Sequence, residues 1–217
     1  MNITITGNLG SGKSSICSEL EKSGFEIVRT GTLFREIAKE RGLSVIELNE
    51  LAKSDPSIDK MLDERSAKLG VEKDFTVFDS RMAWHFIPNS FKIFVLTKVS
   101  ESAKRIFTDK SRSAEQYENL KTAEEGILLR SKLEKERFFN LYQVNYYDQH
   151  NYNLVIDSTY ASPSEVTAEI LKNYELFIRN AFLGKAVFLN SENVTTSDYF
   201  FDFAYPNQQS LPQPPIM

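Results

Sequence analysis

The sequence predicts an α/β fold, with helices on both faces of a parallel sheet of five strands. Three observations carry this expectation. Short β-branched or aromatic runs alternate with helical patterns from residue 3 to residue 177. The first run ends on a glycine-rich turn that leads directly into a helical pattern. The run at 91–96 is apolar enough to sit centrally in a sheet covered on both faces.

Taken in order, Ile3 and Ile5 lie in the first strand, which meets a turn at Gly7. Residues 13–22 read as a helix, with Ile16 and Leu20 on one face. Residues 25–28 suit a second strand. Over 32–41, Leu33, Ile37 and Ala38 keep helical spacing, and Gly42 marks the stop. Ser44, with Glu47 three residues on, caps a helix through Lys53. Asp55-Pro56 opens another, in which Ile58, Met61 and Leu62 share a face. The region 32–69 therefore reads as a helical insert between two strands. The apolar run 75–79 is the third strand and ends on the carboxylate of Asp79. After the strand at 91–96, Ser100 is placed as the cap of a helix toward Thr108. Residues 113–148 are charged and mostly helical, with Gly126 the weak point. Residues 154–157 make the last strand, and Ser162-Pro163 opens a helix carrying Val166, Ile170, Leu171 and Phe177. No internal repeat is present.

The chain has 217 residues, 41% hydrophobic and 26% charged, which suits one domain (1–182) and a tail (183–217). Lys+Arg 26 against Asp+Glu 30 gives a net charge of -4, which argues against a nucleic-acid polymer as partner. Cys17 stands alone and forms no internal disulfide, while His85 and His150 lack metal-ligand spacing. No apolar run approaches the ~20 residues that span a bilayer, and the N-terminus has no basic region or cleavage signal. A cytoplasmic protein of a reducing compartment, away from membranes, is the expectation. Beyond Lys185 there is no Lys or Arg, and Pro206, Pro212, Pro214 and Pro215 cluster with Phe188, Tyr199, Phe200, Phe201, Phe203 and Tyr205. Two readings stand for this tail: a segment packed on its own domain or frayed in solution, or a docking segment for a protein partner or a second copy.

Gly7-Asn8-Leu9-Gly10-Ser11-Gly12-Lys13-Ser14 matches G-x-x-x-x-G-K-[ST] between a strand and a helix. Glycines let the backbone curl so that successive N–H groups point at phosphate oxygens. The helix beginning at Lys13 adds the positive end of its dipole, roughly half a charge. In such a loop Lys13 reaches the β- and γ-phosphates and the Ser14 hydroxyl ligates Mg²⁺. A chance match occurs in on the order of one chain in a hundred at ordinary residue frequencies, before the flanking strand and helix are required. No dinucleotide fingerprint is present.

A phosphate loop specifies a nucleoside triphosphate and leaves the acceptor open. Thr30 and Arg35 open the helix after the second strand, and Asp79-Ser80-Arg81 closes the third, on the edge where ligands bind in open α/β sheets. Arg130, Glu134 and Arg137 share a helix face. Guanidiniums gathered around one point suit phosphoryl transfer, whose transition state spreads charge over equatorial oxygens. Each also has a plainer reading. Arg35 can be a solvated helix residue and Arg81 a cap on the sheet edge through Asp79. Asp79 can be a strand-end turn residue rather than a Mg²⁺ or acceptor ligand. Arg130, Glu134 and Arg137 can be an exposed salt-bridged face.

These motifs, in this order over residues 1–174, resemble the cytidylate kinase family of P-loop nucleoside-monophosphate kinases, especially its shorter cytidylate kinase-like branch. The family's Ser/Thr-Gly-x-x-[FY]-Arg element stands here as Thr30-Gly31-Thr32-Leu33-Phe34-Arg35, and its [DE]-Gly-Arg signature as Asp79-Ser80-Arg81. The resemblance implies a P-loop NTPase three-layer α/β/α fold, with an acceptor-binding insert (about 32–69) and a helical lid (about 109–148). By the same likeness Gly7, Asn8, Leu9, Gly10, Ser11, Gly12, Lys13, Ser14 and Ser15 bind ATP. Thr30, Arg35, Asp79, Arg81, Glu134 and Arg137 bind the acceptor, and Ser14 and Asp79 hold the metal. Lys13, Arg81, Arg130 and Arg137 act in catalysis, the last two within the lid pattern Arg-x-x-x-[DE]-x-x-Arg. Ser80 replaces the signature glycine, while Met82, which cannot act as the acidic residue that the larger branch uses for the pyrimidine, suits the apolar residue that the shorter branch carries there. Two departures stand out: the tail beyond about Asn180 has no counterpart in the family, and the lid is short of arginines. The arginine-poor stretch 108–112 leaves the donor-side role between Arg105 and Arg112. The implied activity is ATP- and Mg²⁺-dependent phosphorylation of a nucleoside monophosphate, CMP or dCMP first. Another monophosphate, dephospho-coenzyme A, or a regulator with weak catalysis are the alternatives.

Overall fold

The centre of the sheet is β1 (Asn2–Gly7), buried along all six residues. It lies between β3 (Thr76–Asp79) and β4 (Ser90–Leu96), parallel to both. β2 (Glu26–Arg29) pairs with β3, and β5 (Leu154–Asp157) with β4, again in parallel. A further strand, β6 (Lys185–Phe188), runs parallel to β5 and gives the order β2-β3-β1-β4-β5-β6. The computed structural model describes residues 1–52, 54–109 and 117–179, and the backbone of 185–188. The five expected strands are present. β6 is an addition, in a segment assigned to the tail and too short to show a period.

Parallel neighbours need crossovers, and the helices supply them on both faces. α1 (Lys13–Lys22) and α8 (Pro163–Ile178) cover one face, where Ile16, Leu20, Val166 and Ile170 pack on Ile3, Ile5, Ile93 and Ile156. On the other face Phe94, Tyr146, Tyr152 and Trp84 form a second cluster. Against it lie Phe138 and Tyr142 of α7 (Leu120–Tyr142) and the single turn α5 (Ala83–Phe86). α6 (Val99–Thr108) joins α7 through Ala103, Ile106, Ala123 and Ile127, which close over Leu9 of the phosphate loop.

The insert is three helices: α2 (Thr30–Glu40), α3 (Val45–Ala52) and α4 (Ser57–Glu72). They share their own apolar cluster, with Leu33, Ile37, Leu48, Ile58 and Leu62 buried in it. Local signals set several of these ends. Ser44 and Glu47 exchange hydrogen bonds before α3, and Ser162 and Glu165 do the same at α8.

Two expected boundaries are corrected. α6 starts at Val99, and the cap position is Lys98, whose N–H donates to Thr159 Oγ1 at 3.0 Å, so Ser100 is inside the helix. The long helix starts at Leu120, behind an Asn119–Thr122 capping box, rather than at 113; residues 113–116 lie outside the described residues. It ends where Gln143 turns left-handed, φ 56°. Gly126 is no defect in it: a Cβ there would run into the Tyr117 ring. Among the described residues no helix is long and apolar enough to cross a membrane.

Candidate active site

The phosphate loop forms because β1 and β4 end level. Asn8 N–H donates to Val95 O at 3.1 Å, and Asn8 Nδ2 to Thr97 O at 3.3 Å. A side chain at position 7 would collide with the Val95 carbonyl, and Gly12 sits at φ 82° as the cap of α1. The loop is braced from behind. Ser102 Oγ donates to Leu9 O, Arg105 Nη1 to Gly10 O at 3.4 Å, and Ser158 Oγ to Ser11 O at 2.8 Å. Inside the curl, the N–H groups of Leu9, Gly10, Gly12, Lys13 and Ser14 have no protein acceptor among the described residues. Five such donors at a helix N-terminus make a cradle for an anion. Lys13 Nζ folds over it, 3.4 Å from both Gly7 O and Asn8 O.

The acceptor side begins at the neighbouring strand ends. Arg29 and Asp79 are register partners, and Thr30 Oγ1 donates to Asp79 O at 3.0 Å. Thr6 Oγ1 holds the next turn, donating to Ser80 O at 2.9 Å and Arg81 O at 3.3 Å. Ser80 fits without its glycine: left-handed non-glycine residues among those described are Phe75 and Gln143 alone. Instead Ser80 Oγ accepts from Met82 N–H at 3.3 Å. Arg81 Nη1 donates to Gly7 O at 3.0 Å, and its Nε to Glu134 at 3.0 Å. The other Glu134 oxygen takes Arg130 Nε at 3.0 Å. One carboxylate from α7 thus gathers two guanidiniums beside the mouth of the loop.

Charge in this cluster is held against burial. Burial pushes the Glu134 carboxyl upward, but Arg81 and Arg130 outweigh it and keep it below its ordinary value. Burial likewise opposes the Arg81 charge, and Glu134 raises it above normal. Lys13 goes the other way: burial, with the Arg81 charge next, lowers its ammonium to about 7. Asp79 and Glu134 oppose that fall.

A triphosphate in the cradle raises the Lys13 pKa again, so binding takes up a proton at and above pH 7, and affinity declines as pH rises further. Calorimetry in two buffers of unequal ionisation heat is expected to show that uptake at pH 8 and its loss in Lys13→Met. Equal heats would show Lys13 already charged in the free protein.

The other expected residues divide. Arg137 turns away from Glu134 to Asp59 of α4, with Nε 2.9 Å from Oδ2 and Nη2 bonded to Oδ1. Arg35 is exposed and bonds Thr32 Oγ1 on its own helix at 3.0 Å. Neither joins the Arg81–Glu134–Arg130 group in this structure. Ser14 and Ser15 are exposed at the start of α1. A cleft of about 190 Å³ lies beside them, lined by Ser11, Gly12, Arg105, Ser158 and Pro163 among others. Arg105 is fixed there through Ser158 O and Thr159 O, at 2.8 and 2.9 Å, whereas Arg112 lies outside the described residues. Ser14 and Asp79 offer a hydroxyl and a carboxylate, oxygen donors that suit a hard cation. Among the described residues no three His, Cys, Asp or Glu group to hold a metal. Mg²⁺ in nucleotide sites keeps waters and takes much of its shell from substrate phosphates.

Sequence reasoning missed the second carboxylate of α4. Asp63 accepts Tyr142 Oη, and burial pushes its carboxyl up to about 6. These partners are 79 positions apart, and no local pattern announces them.

An anion cradle at the carboxyl end of a parallel sheet, with an arginine cluster beside the next strand end, is the layout of a P-loop phosphotransferase. The fold agrees with that of shikimate kinase from Aquifex aeolicus, at TM-score 0.54 and 21% identity over 82% of this chain and 98% of that one. The model of the cytidylate kinase-like family matches residues 2–160, and the chain belongs to that family. A cytidylate kinase of Methanobrevibacter smithii is 30% identical over 172 residues, 79% of this chain and 96% of the relative. An S-adenosylmethionine-dependent nucleotide dehydratase of Lacinutrix mariniflava is 31% identical over 175 residues, 80% of this chain but 36% of that longer protein. The enzyme class is nucleoside-monophosphate kinase.

Proposed function

We propose that this protein transfers the γ-phosphoryl group of ATP to a nucleoside monophosphate, CMP or dCMP first, in the presence of Mg²⁺. One observation carries the reading: Arg81 touches both the phosphate loop, through Gly7 O, and the acceptor-side carboxylate Glu134. Donor cradle and acceptor grip are therefore one charged unit.

In this reading the loop N–H groups and Lys13 stabilise charge on the transferring phosphoryl group. Mg²⁺ supplies further neutralisation when bound, with Ser14 and Asp79 as its protein ligands. Arg81 holds the acceptor phosphate for in-line attack. An oxygen of that phosphate forms the new P–O bond as the bond from the γ-phosphorus to the β–γ bridging oxygen breaks. The nucleophile is already anionic, so no general base is required. Arg105 and the 158–163 turn border the cleft beside the loop, where the ATP base is placed. The cytidylate kinase names among the relatives support a pyrimidine acceptor.

A coupled ADP-release assay across CMP, dCMP, UMP, AMP, GMP and dephospho-coenzyme A tests the acceptor. CMP or dCMP is expected to lead in kcat/KM by about tenfold or more, a pocket discrimination of ordinary size. A different leading acceptor would reassign the substrate. ATP binding without turnover on any of them would make the protein a nucleotide-binding regulator.

A further inference from the structure

Two links join the insert to the long helix. Arg137 makes a two-pronged pair with Asp59, and one turn further along α4 Asp63 accepts Tyr142 Oη. Asp59 and Asp63 stand four residues apart, so both carboxylates face α7 from one side of α4. They are unequally served. The Asp59 side chain is 10% exposed and has the guanidinium, whereas the half-buried Asp63 has a neutral hydroxyl. Arg137 is 48% exposed, so within the ion pair the arginine is the member free to swing away.

We propose that Asp63 is a positioning residue for the acceptor: it shares with Asp59 a two-carboxylate seat that Arg137 leaves when the acceptor draws it in, and a proton on Asp63 replaces the departed cation. This rests on the reading of the protein as a kinase whose acceptor Arg137 meets, as the family's lid pattern implies. The groups facing Asp63 are Tyr142 and Arg137 from α7 and Asp59 from its own helix. From α5 the His85 ring meets Tyr142 at 6.3 Å. Burial lifts the Asp63 carboxyl to about 6; the Tyr142 bond and Arg137 hold it down, and Asp59 pushes it up. With Arg137 gone, the attraction from a full charge is lost and nothing offsets the Asp59 repulsion. The value with acceptor bound therefore lies above the free one, and binding takes up a proton. Well below pH 6 or so Asp63 is protonated in both states; above it, acceptor affinity falls as pH rises through the bound value. His85, held below its ordinary value by burial and by Lys92, is neutral over most of that range.

The test compares the wild type with Asp63→Asn between about pH 5.5 and about pH 8.5, using the acceptor that the screen above selects. The acceptor phosphate and Lys13 titrate in the same range but alike in both proteins, so the ratio of acceptor KM values isolates Asp63. That ratio, wild type over variant, is expected to rise about three- to tenfold from about pH 6 upward, tenfold for each pH unit separating the bound and free values. The kcat ratio should stay level. A variant that is merely less stable would lose activity without that slope, and a level KM ratio overturns the assignment. Should Asp63→Asn fail to fold, Tyr142→Phe keeps its ring against Phe86 and Phe138 and removes a bond that holds the Asp63 carboxyl down. The slope should then begin at higher pH than in the wild type, and an unmoved onset overturns the assignment as well. A second arm needs no acceptor. In Arg137→Ala the Asp63 carboxyl, followed by NMR, should titrate about half a pH unit or more above its wild-type midpoint, and an unmoved midpoint overturns the seat. A moved midpoint in a protein that transfers to no acceptor would defeat the kinase reading instead.

Discussion

Lys13→Ala is expected to lower phosphoryl transfer by about two to three orders of magnitude while the protein stays folded. The size follows from what the group does. Electrostatic donors aimed at a developing oxyanion are worth about 100- to 1000-fold each, and Lys13 is the cation seated over the five open N–H groups of the loop. The fold survives because the Lys13 side chain supports nothing in the core: its bonds are to Gly7 O and Asn8 O, both at 3.4 Å. Losing a buried ammonium that burial has already pulled down to about 7 also removes an unfavourable charge. Circular dichroism with the coupled assay checks both halves. Substantial CMP turnover in a folded Lys13→Ala protein would defeat the mechanism.

Arg81→Ala is the second large effect, about 100- to 1000-fold in acceptor kcat/KM. Here the loss is not confined to the acceptor. Arg81 also donates to Gly7 O, and its removal leaves Glu134 with Arg130 as its remaining ion-pair partner. A modest weakening of ATP binding, about threefold to tenfold, is therefore expected alongside. Arg81→Lys should recover little, because a point cation cannot serve Gly7 O and Glu134 at once. Steady-state kinetics with either substrate varied separates the two effects. A change confined to ATP, with the acceptor KM and kcat intact, would remove Arg81 from the acceptor site.

Much of the layout was legible along the chain because the signals are local. The glycines, lysine and serine of the phosphate loop are adjacent, and their strand and helix flanks follow from short-range patterns. Ser44 with Glu47, and Ser162 with Glu165, announce helix starts because a capping box closes over three residues. Asn119–Thr122 closes the same kind of box but lacks the acidic residue, and the expected helix ran past it. Ser100 misled for the opposite reason: a good capping residue stood one position inside a helix whose first turn is held by Thr159, 61 positions away from Lys98.

The partners of the arginines were not legible. A shared helix face put Glu134 with both Arg130 and Arg137, and geometry kept only the first of these pairs. Arg81 reaches Glu134 across 53 positions, and Arg137 reaches Asp59 across 78. Spacing along a helix says which side chains share a face, but not which element will lie against that face.

The sequence by itself determined the glycine-rich loop with its strand and helix flanks, the alternation of strands and helices, and a likeness to one kinase family, because each rests on residues close together in the chain. Only the tertiary structure decided the strand order, the added β6, and which carboxylate each guanidinium meets. Those depend on how helices from opposite ends of the chain pack, and an ion pair forms only where packing brings its two halves within about 4 Å.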